Sequence, residues 1–343
     1  MRSRASRRGA SLAALLLLPA SAAHPGAGDD KDRQRDATRL AEIRVQHVRS
    51  ADGLAYVGQT SGLVVLDLAQ PAVPREVGRL RLAATVYDVT VRDARAYLAA
   101  GAHGMIVADV GDPAAPKLLL RHDTPGTVVR LALRGETAYL AESSHGLSVV
   151  DLSIPERPRR AASFSTAGEV LAVASDGRLL ATAEREAGVR LFDVERPESP
   201  AELATLRDAG GAVDLAFASG LLVVAADRLG LLVYALDEPR APRLVAADAG
   251  RPARAVTALD SSVVVSAGDA GLRIVELAGT GQMREIGAVR LPGSIPAGRV
   301  GLTAGRVALV AADRFGIAVV DLGDPARPLV LHPRERRMEI SFP

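Results

Sequence analysis

The sequence predicts an all-β protein, a seven-bladed β-propeller built from four-stranded antiparallel blades. Three observations predict it: a motif that begins with glycine recurs seven times, successive copies are 42, 42, 42, 42, 41 and 45 residues apart, and four short strand-like segments fit in each interval. Four strands in a period of about 42 residues are typical of a propeller blade. Helical repeats of similar length would place apolar residues at i, i+3, i+4 and i+7, and these segments do not.

The recurring motif is a glycine, an apolar strand of four residues, an acidic residue, an aliphatic residue and a turn bounded by prolines. Its seven glycines are Gly62, Gly104, Gly146, Gly188, Gly230, Gly271 and Gly316. We predict that they adopt positive φ or allow another backbone to approach closely. The acidic position is occupied by Asp67, Asp109, Asp151, Asp193, Glu276 and Asp321, with Ala235 in blade five. We predict that these acids accept backbone N–H bonds in the turn, rather than bind cations.

Three further segments recur in phase with the glycines. The segment before each glycine, such as 96–99, is apolar and is predicted to be buried on both faces. The alternating segment before that, such as 86–91, is predicted to be the innermost strand of its blade. The segment after the prolines, such as 117–121, is more polar and is predicted to be the outermost strand, where proline is tolerated beside an edge. Seven such units close a ring, and the sequence leaves open whether residues 37–43 add a strand to the last blade.

The N-terminal residues have the pattern of an export signal. Four arginines within residues 2–8 precede an apolar run at 12–18, and small residues follow it, so we expect cleavage after Ala23. The run is shorter than the about 20 residues that span a bilayer. An uncleaved anchor is the alternative, and the paired arginines leave the general and twin-arginine export routes open. We therefore expect an exported protein that is periplasmic, secreted or at the cell surface.

These features divide the chain into a signal peptide at 1–23, a flexible linker at 24–38, the propeller at 39–333 and a C-terminal tail at 334–343. Removal of the signal peptide takes away four of the 42 basic residues and none of the 40 acidic ones, which leaves a net charge of −2. That balance predicts no nucleic-acid partner. The absence of Cys excludes disulfides and thiolate metal sites. We expect a monomer with no cofactor, and no integral membrane segment in the mature chain.

The motif resembles that of the LVIVD-repeat family. The similarity lies in strands such as Leu-Val-Val-Leu-Asp at 63–67 and Leu-Ser-Val-Val-Asp at 147–151, and in the Ala-Tyr pairs at 55–56, 96–97 and 138–139. It covers about residues 40–333. The resemblance implies an extracytoplasmic bacterial β-propeller and brings no catalytic motif with it. Kelch and WD-type propellers have similar periods, but the absence of Trp and of double-glycine strand ends argues against both.

Candidate binding residues lie at one mouth of the predicted channel. Asp88, Arg130 and Asp214 each precede the glycine of their blade by sixteen residues, on the innermost strand. Charges there are expected to face the channel, because burying them unpaired is costly. The alternative is that they are solvated or paired with one another across the ring. The loops between second and third strands differ from blade to blade, as binding loops do, and carry the other candidates: His103, His145, Asp227, Arg228, Asp313 and Arg314.

No metal site is predicted. His103 and His145 hold the same position in adjacent blades, but equivalent loops are too far apart for both to bind one zinc ion, given Zn–N bonds of about 2 Å. The sequence also contains no G-x-S-x-G, H-E-x-x-H or P-loop motif. These observations indicate a protein that is not an enzyme.

The predicted function is a binding or scaffold role, in which the variable loops at the channel mouth contact a protein or a small ligand. The alternative is a lactonase-like propeller hydrolase with a metal at the channel mouth, held by Asp88, Asp214, Asp227 and Asp313. Three carboxylate or His groups within about 5 Å of one another would favour the enzyme, and carboxylates paired with arginines would favour binding. A third possibility, a structural part of a larger surface assembly, predicts a contiguous apolar patch on one rim.

Overall fold

The fold follows the period of the sequence. A computed structural model describes residues 45–51 (backbone only), 53–278, 281–292, 298–303, 306–312 and 316–332. Within these residues the chain forms seven antiparallel sheets, each made of four consecutive strands. The predicted all-β class and the seven-bladed propeller are therefore confirmed. The predicted signal peptide at 1–23, the predicted linker at 24–38, the segment 37–43 and the tail at 334–343 lie outside the described residues.

The strands follow one another in chain order, four to a blade. Blades one to three contain β1 (Val45–Ala51), β2 (Leu54–Gln59), β3 (Gly62–Asp67), β4 (Arg75–Arg81), β5 (Asp88–Arg92), β6 (Arg95–Ala99), β7 (Met105–Asp109), β8 (Lys117–His122), β9 (Arg130–Arg134), β10 (Thr137–Ala141), β11 (Leu147–Asp151) and β12 (Arg159–Phe164). Blades four and five contain β13 (Ala172–Ser175), β14 (Leu179–Glu184), β15 (Gly188–Asp193), β16 (Ala201–Leu206), β17 (Asp214–Ala218), β18 (Leu221–Ala225), β19 (Leu231–Ala235) and β20 (Arg243–Asp248), with a 3₁₀ turn at Arg207–Ala209. Blades six and seven contain β21 (Ala255–Leu259), β22 (Ser262–Ser266), β23 (Leu272–Leu277), β24 (Met283–Val289), β25 (Val300–Leu302), β26 (Val307–Ala311), β27 (Ile317–Asp321) and β28 (Leu329–His332). In the described part of the chain, no helix has the length and apolar character needed to cross a membrane.

Apolar side chains fill the interfaces between blades. The second and third strands are buried on both faces, as their unbroken apolar runs predict. Seven apolar clusters result, and each joins one blade to its neighbour. One of them packs Val57 and Leu66 of blade one against Leu309 and Val319 of blade seven. The first and last blades are therefore in contact, and the ring is closed.

The innermost strands begin later than the sequence analysis predicted. The predicted segments start at Val86, Val128 and Val170, whereas β5, β9 and β13 each start two residues further on. The reason is a set of backbone bonds to the preceding blade. The amide of Val86 donates to the carbonyl of Gln59 at 2.9 Å, and the amide of Val128 donates to that of Gly101 at 3.0 Å. These valines therefore connect neighbouring blades before the strand within the blade starts.

The motif glycines have both properties that were predicted for them. All seven adopt a positive φ, between 69° and 124°. In six of them a Cβ atom would lie only 2.0–2.2 Å from a carbonyl oxygen of the outermost strand, for example 2.1 Å from that of Leu206 at Gly188. A register shift follows three residues after each glycine, and such a bulge increases the local twist of a strand. Glycine is thus required at this position for two separate reasons.

The motif aspartates are turn formers, as predicted. The Oδ1 atom of each accepts a bond from the amide two residues later, at 2.7–2.8 Å, in blades one, two, three, four and seven. The prediction was wrong for Glu276, which instead accepts two bonds from Arg284. Arg284 lies directly opposite Glu276 in the sheet. The longer glutamate side chain therefore reaches across to the neighbouring strand.

The turn bond gives a stability prediction. We expect Asp109→Ala to lower the free energy of unfolding by about 1 kcal/mol, because the amide of Gly111 loses the acceptor that it has at 2.8 Å. Asp269→Ala is the control, since that side chain is exposed on a loop tip. Urea unfolding of both variants measures the difference. Equal losses would mean that the bond adds nothing beyond a general effect of removing a carboxylate.

Candidate functional site

Three of the predicted site residues share one structural position. Asp88, Arg130 and Asp214 are the first residues of β5, β9 and β17. Each is paired with the last residue of the second strand in its blade. All three line a cavity of about 360 Å³, which is enclosed by innermost strands of blades two to seven. The structure thus brings these three charges to the channel, while their role in binding stays a prediction.

Arg299 is a fourth charged residue of this cavity, and the sequence analysis missed it. Counting sixteen residues back from Gly316 leads to Val300. In the structure, however, the amide of Ala311 donates to the carbonyl of Arg299, and Ala311 ends the second strand of blade seven. Arg299 is therefore the equivalent of Asp88, and it lines the same cavity. A count along the sequence fails here because the β25–β26 hairpin has a different length.

Asp214 is the centre of the charge pairing. Its Oδ1 lies 2.9 Å from Nη1 of Arg299 and 3.9 Å from Nη2 of Arg130. The two arginines come from blades seven and three, two blades away from Asp214 on either side. The equivalent positions in the intervening blades are Ala172 and Ala255. Because alanine is short, both arginines can extend over it towards the same carboxylate.

Burial changes the acidity of Asp214. Desolvation raises the pKa of its carboxyl group to about 6. Arg130 and the amides of Val256 and Leu215 act in the opposite direction, and the charge of Asp88 adds to the increase. The carboxyl group thus titrates closer to neutral pH than an ordinary aspartate.

The two channel carboxylates also join neighbouring blades. Asp88 accepts a bond from the amide of Leu131 at 3.0 Å, and Asp214 accepts one from the amide of Val256 at 3.1 Å. Each donating amide lies on the next blade. A second bond to Asp88 comes from the amide of Val89 at 2.8 Å. These carboxylates therefore have a structural role, with much of their hydrogen-bonding capacity already used.

The rim candidates lie apart from this cavity. His103 is half-buried, whereas His145 and Arg228 are exposed at loop tips. Asp227 has a φ of 44°, and Nε of Arg254 lies 4.0 Å from its Oδ1. None of these four lines the channel cavity. Asp313 and Arg314 lie outside the described residues.

Two residues of the predicted binding loops are buried instead. Glu142 and Glu184 are each only 1% exposed, although they lie where the second strand meets the predicted binding loop. Glu184 accepts bonds from Arg190 at 2.6 Å and from Thr182 at 3.0 Å. Glu142 accepts a bond from the amide of Gly126 at 3.0 Å. The variable surface of each loop is therefore limited to the residues at its tip.

The described residues contain no group of three or more His, Asp or Glu side chains arranged to hold a metal ion. The channel carboxylates are instead engaged by arginines and backbone amides. Chemically, the cavity offers cationic hydrogen-bond donors next to carboxylates that are already paired.

One known protein family matches the N-terminal blades of this chain. The LVIVD repeat matches residues 45–81, 84–124 and 125–166. These three matches coincide with blades one, two and three, and each contains four consecutive strands. The chain contains three consecutive LVIVD repeats within residues 45–166. The resemblance found in the sequence is thereby confirmed, and one LVIVD repeat corresponds to one blade.

The chain is also similar to solved structures of low sequence identity. One is the computationally designed Ika8 protein, with 17% identity, a TM-score of 0.60 and coverage of 82% of this chain and 85% of that one. A chain of the mitotic checkpoint complex has 16% identity and a TM-score of 0.65, with coverage of 80% and 90%. PorZ, a bacterial surface component of the type-IX secretion system of Porphyromonas gingivalis, has 17% identity and a TM-score of 0.57, with coverage of 84% of this chain and 38% of that one. At these identities the likeness concerns the fold alone. A comparison with curated proteins finds no match.

Proposed function

We propose that this protein is an exported, non-catalytic binding or scaffold propeller that presents the loops around one channel mouth to a protein or a small ligand. A single observation carries the proposal: hairpins of the same backbone geometry display different side chains at their tips. The amide four residues before the motif glycine donates to that glycine's carbonyl at 2.8–3.0 Å in blades two, three, five, six and seven. These five hairpins thus share one backbone hydrogen bond, while the side chains at their tips differ.

The tips of these hairpins are exposed and chemically distinct. Blade three displays Ser144 and His145, blade four Arg185 and Glu186, and blade five Arg228 and Leu229. Isolated backbone bridges join the hairpins of blades two, three, four and five to the next blade, for example Ser143 to Val170 and Arg185 to Ala212. The bridges hold the tips in place around the rim. Rigid presentation reduces the ordering entropy that a partner must overcome on binding.

Two further observations support the proposal. The channel carboxylate Asp214 is paired with Arg130 and Arg299, which removes it from the ligand set that a hydrolase would need. The exposed large apolar side chains include Leu118, Leu244 and Leu329, which lie on three different blades. These three leucines lie on blades two, five and seven, which are not neighbours in the ring, so they do not join into one patch of the kind that a larger assembly would need.

The export part of the proposal rests on the arginines and the apolar run within residues 1–23. The surface location of PorZ is compatible with it. Expression of the full chain in a bacterial host, followed by fractionation and N-terminal sequencing, provides the test. The expected product begins at His24 and is found outside the cytoplasm. A cytoplasmic product that retains residues 1–23 would contradict export.

Blade four offers a matched pair of variants for the binding role. Arg185→Ala with Glu186→Ala removes an Arg and a Glu from the channel-mouth rim. Glu195→Ala with Arg196→Ala removes the same residue types from the opposite end of the same blade, and all four side chains are exposed. We expect the first variant to reduce crosslinking to a partner from the native host at least about threefold, since rim contacts are worth on the order of 1 kcal/mol. The second variant should crosslink like the wild type.

An equal loss of crosslinking in both variants, or a loss only in the second variant, would place binding elsewhere on the surface. Circular dichroism of each variant confirms that the fold is intact. Because the two variants have the same composition and net charge, general electrostatic effects cancel in the comparison.

A further inference from the structure

We propose that the channel cavity binds a small organic carboxylate, held by Arg130 and Arg299. The inference rests on the proposed function, because it names the chemical class of a ligand for the same channel mouth. It uses the channel cavity and not the rim tips, so that the two can be tested separately.

Arg130 is the first reason. Its side chain is only 7% exposed, yet its Nη2 has no hydrogen-bond acceptor among the described residues. Nη1 donates only two long bonds, to the carbonyls of Val129 at 3.3 Å and Tyr87 at 3.4 Å. Asp214 lies 3.9 Å from Nη2, beyond hydrogen-bond distance. A buried cationic donor without an acceptor is costly, and a ligand in the adjoining cavity would supply the acceptor.

The second reason is that the other buried and half-buried polar groups of the cavity are engaged. The exposed Asp176 accepts the amides of Arg178 and Leu179, at 2.9 and 2.7 Å. Asp88 accepts two backbone amide bonds, and Asp214 accepts bonds from the amide of Val256 and pairs with Arg299. The hydroxyl of Ser175 donates to the carbonyl of Leu179 at 2.8 Å. The hydroxyl of Thr257 donates to that of Val300, also at 2.8 Å. The free capacity that remains is that of a cationic donor, which favours a ligand with anionic acceptor oxygens over a cation.

The geometry of the guanidinium favours a carboxylate among small anions. A guanidinium presents its N–H groups in a planar fork, which matches the two oxygens of a carboxylate. The cavity of about 360 Å³ is at the lower end of the range for ligand pockets, so the ligand must be small. The charged groups that line it are Asp88, Arg130, Asp176, Asp214 and Arg299. The arginines lie on both sides of Asp214, so one carboxylate can contact either or both.

Ligand-observed NMR of the full mature chain tests the inference. The probes are acetate, lactate and succinate, with acetamide, lactamide and succinamide as neutral analogues of the same shape. We expect saturable binding of at least one carboxylate, and binding of the matching amide that is at least about tenfold weaker, because hydrogen bonds between charged groups are stronger than neutral ones. Equal binding of acid and amide would overturn the inference.

Three variants locate the site. Arg130→Gln and Arg299→Gln each remove one cationic donor, and each should weaken carboxylate binding by roughly tenfold or more. Arg243→Gln is the control, because Arg243 is an exposed residue of the outermost strand β20, and should bind like the wild type. If Arg130→Gln does not fold, Arg299→Gln carries the test, since that side chain is 25% exposed and tolerates replacement better.

Failure of this inference differs from failure of the proposed function. Carboxylate binding that is unchanged in both arginine variants, or no carboxylate binding at all, would overturn the ligand class and leave the rim experiment unaffected. Loss of the rim-dependent crosslink with retained, arginine-dependent carboxylate binding would overturn rim presentation and leave the channel site intact.

Discussion

Replacement of Gly188 by alanine is expected to lower the free energy of unfolding by about 3 kcal/mol, against about 1 kcal/mol for Gly177→Ala in the same blade. The two glycines have nearly the same φ, 94° and 98°. At Gly188 a Cβ atom would lie 2.1 Å from the carbonyl oxygen of Leu206, whereas at Gly177 nothing lies within 4 Å. The pair of variants therefore separates backbone strain from the close approach of two strands.

Urea unfolding of the two variants, with the midpoint and slope measured for each, gives the comparison. The wild-type contact involves backbone atoms, which cannot move aside as a flexible side chain would. An equal effect of both substitutions would show that φ alone explains the glycine of the motif. The same close approach recurs in five other blades, so the result applies to the whole repeat.

Asp214→Asn is expected to change the pH dependence of stability by about 2 kcal/mol between pH 4 and pH 7. Burial raises the pKa of Asp214 to about 6 in the folded protein, above the value of about 3.9 in an unfolded chain. Below about pH 3 the group is protonated in both states. As the pH rises from 4 to 6, the unfolded chain ionises first, and the wild type loses stability. The cost is complete above pH 6.

The asparagine variant cannot ionise and therefore lacks this loss. We expect the free energy of unfolding of the variant, relative to that of the wild type, to increase by about 2 kcal/mol on going from pH 4 to pH 7. Asp269→Asn, at an exposed loop tip, controls for the removal of one carboxylate. Parallel curves for Asp214→Asn and the wild type would show that Arg130 and Arg299 offset the full cost of burial.

Much of the candidate site could be predicted from sequence, and the part that could not has a definite cause. Asp88, Arg130 and Asp214 were found because blades two, three and five have the same hairpin lengths, so that a fixed count led to the same position. Arg299 was missed because the hairpin of blade seven differs. The pairing of the first and second strands decides which residue of the first strand lies at the channel. A shift of one residue in that pairing turns the side chain to the other face of the sheet.

The buried glutamates show the same limit of prediction from sequence alone. Glu142 and Glu184 stand in hydrophilic loop sequences, and the sequence alone predicts that they are displayed. The structure buries them because the chain just before the innermost strand of the same blade packs against the hairpin, as Gly126 does at Glu142. That neighbour comes from another part of the chain and leaves no local trace near the glutamate.

By itself, the sequence determined the number of blades, the four strands in each, the positive φ of the motif glycines and the turn bonds of the motif aspartates. These features depend on residues close together in the chain, and they recur often enough to be recognised. Only the tertiary structure decided that Arg130 and Arg299 meet at Asp214, from blades on either side of it. Such a meeting depends on ring closure and on the short side chains at Ala172 and Ala255, because distances across the channel are set by the packing of all the blades together.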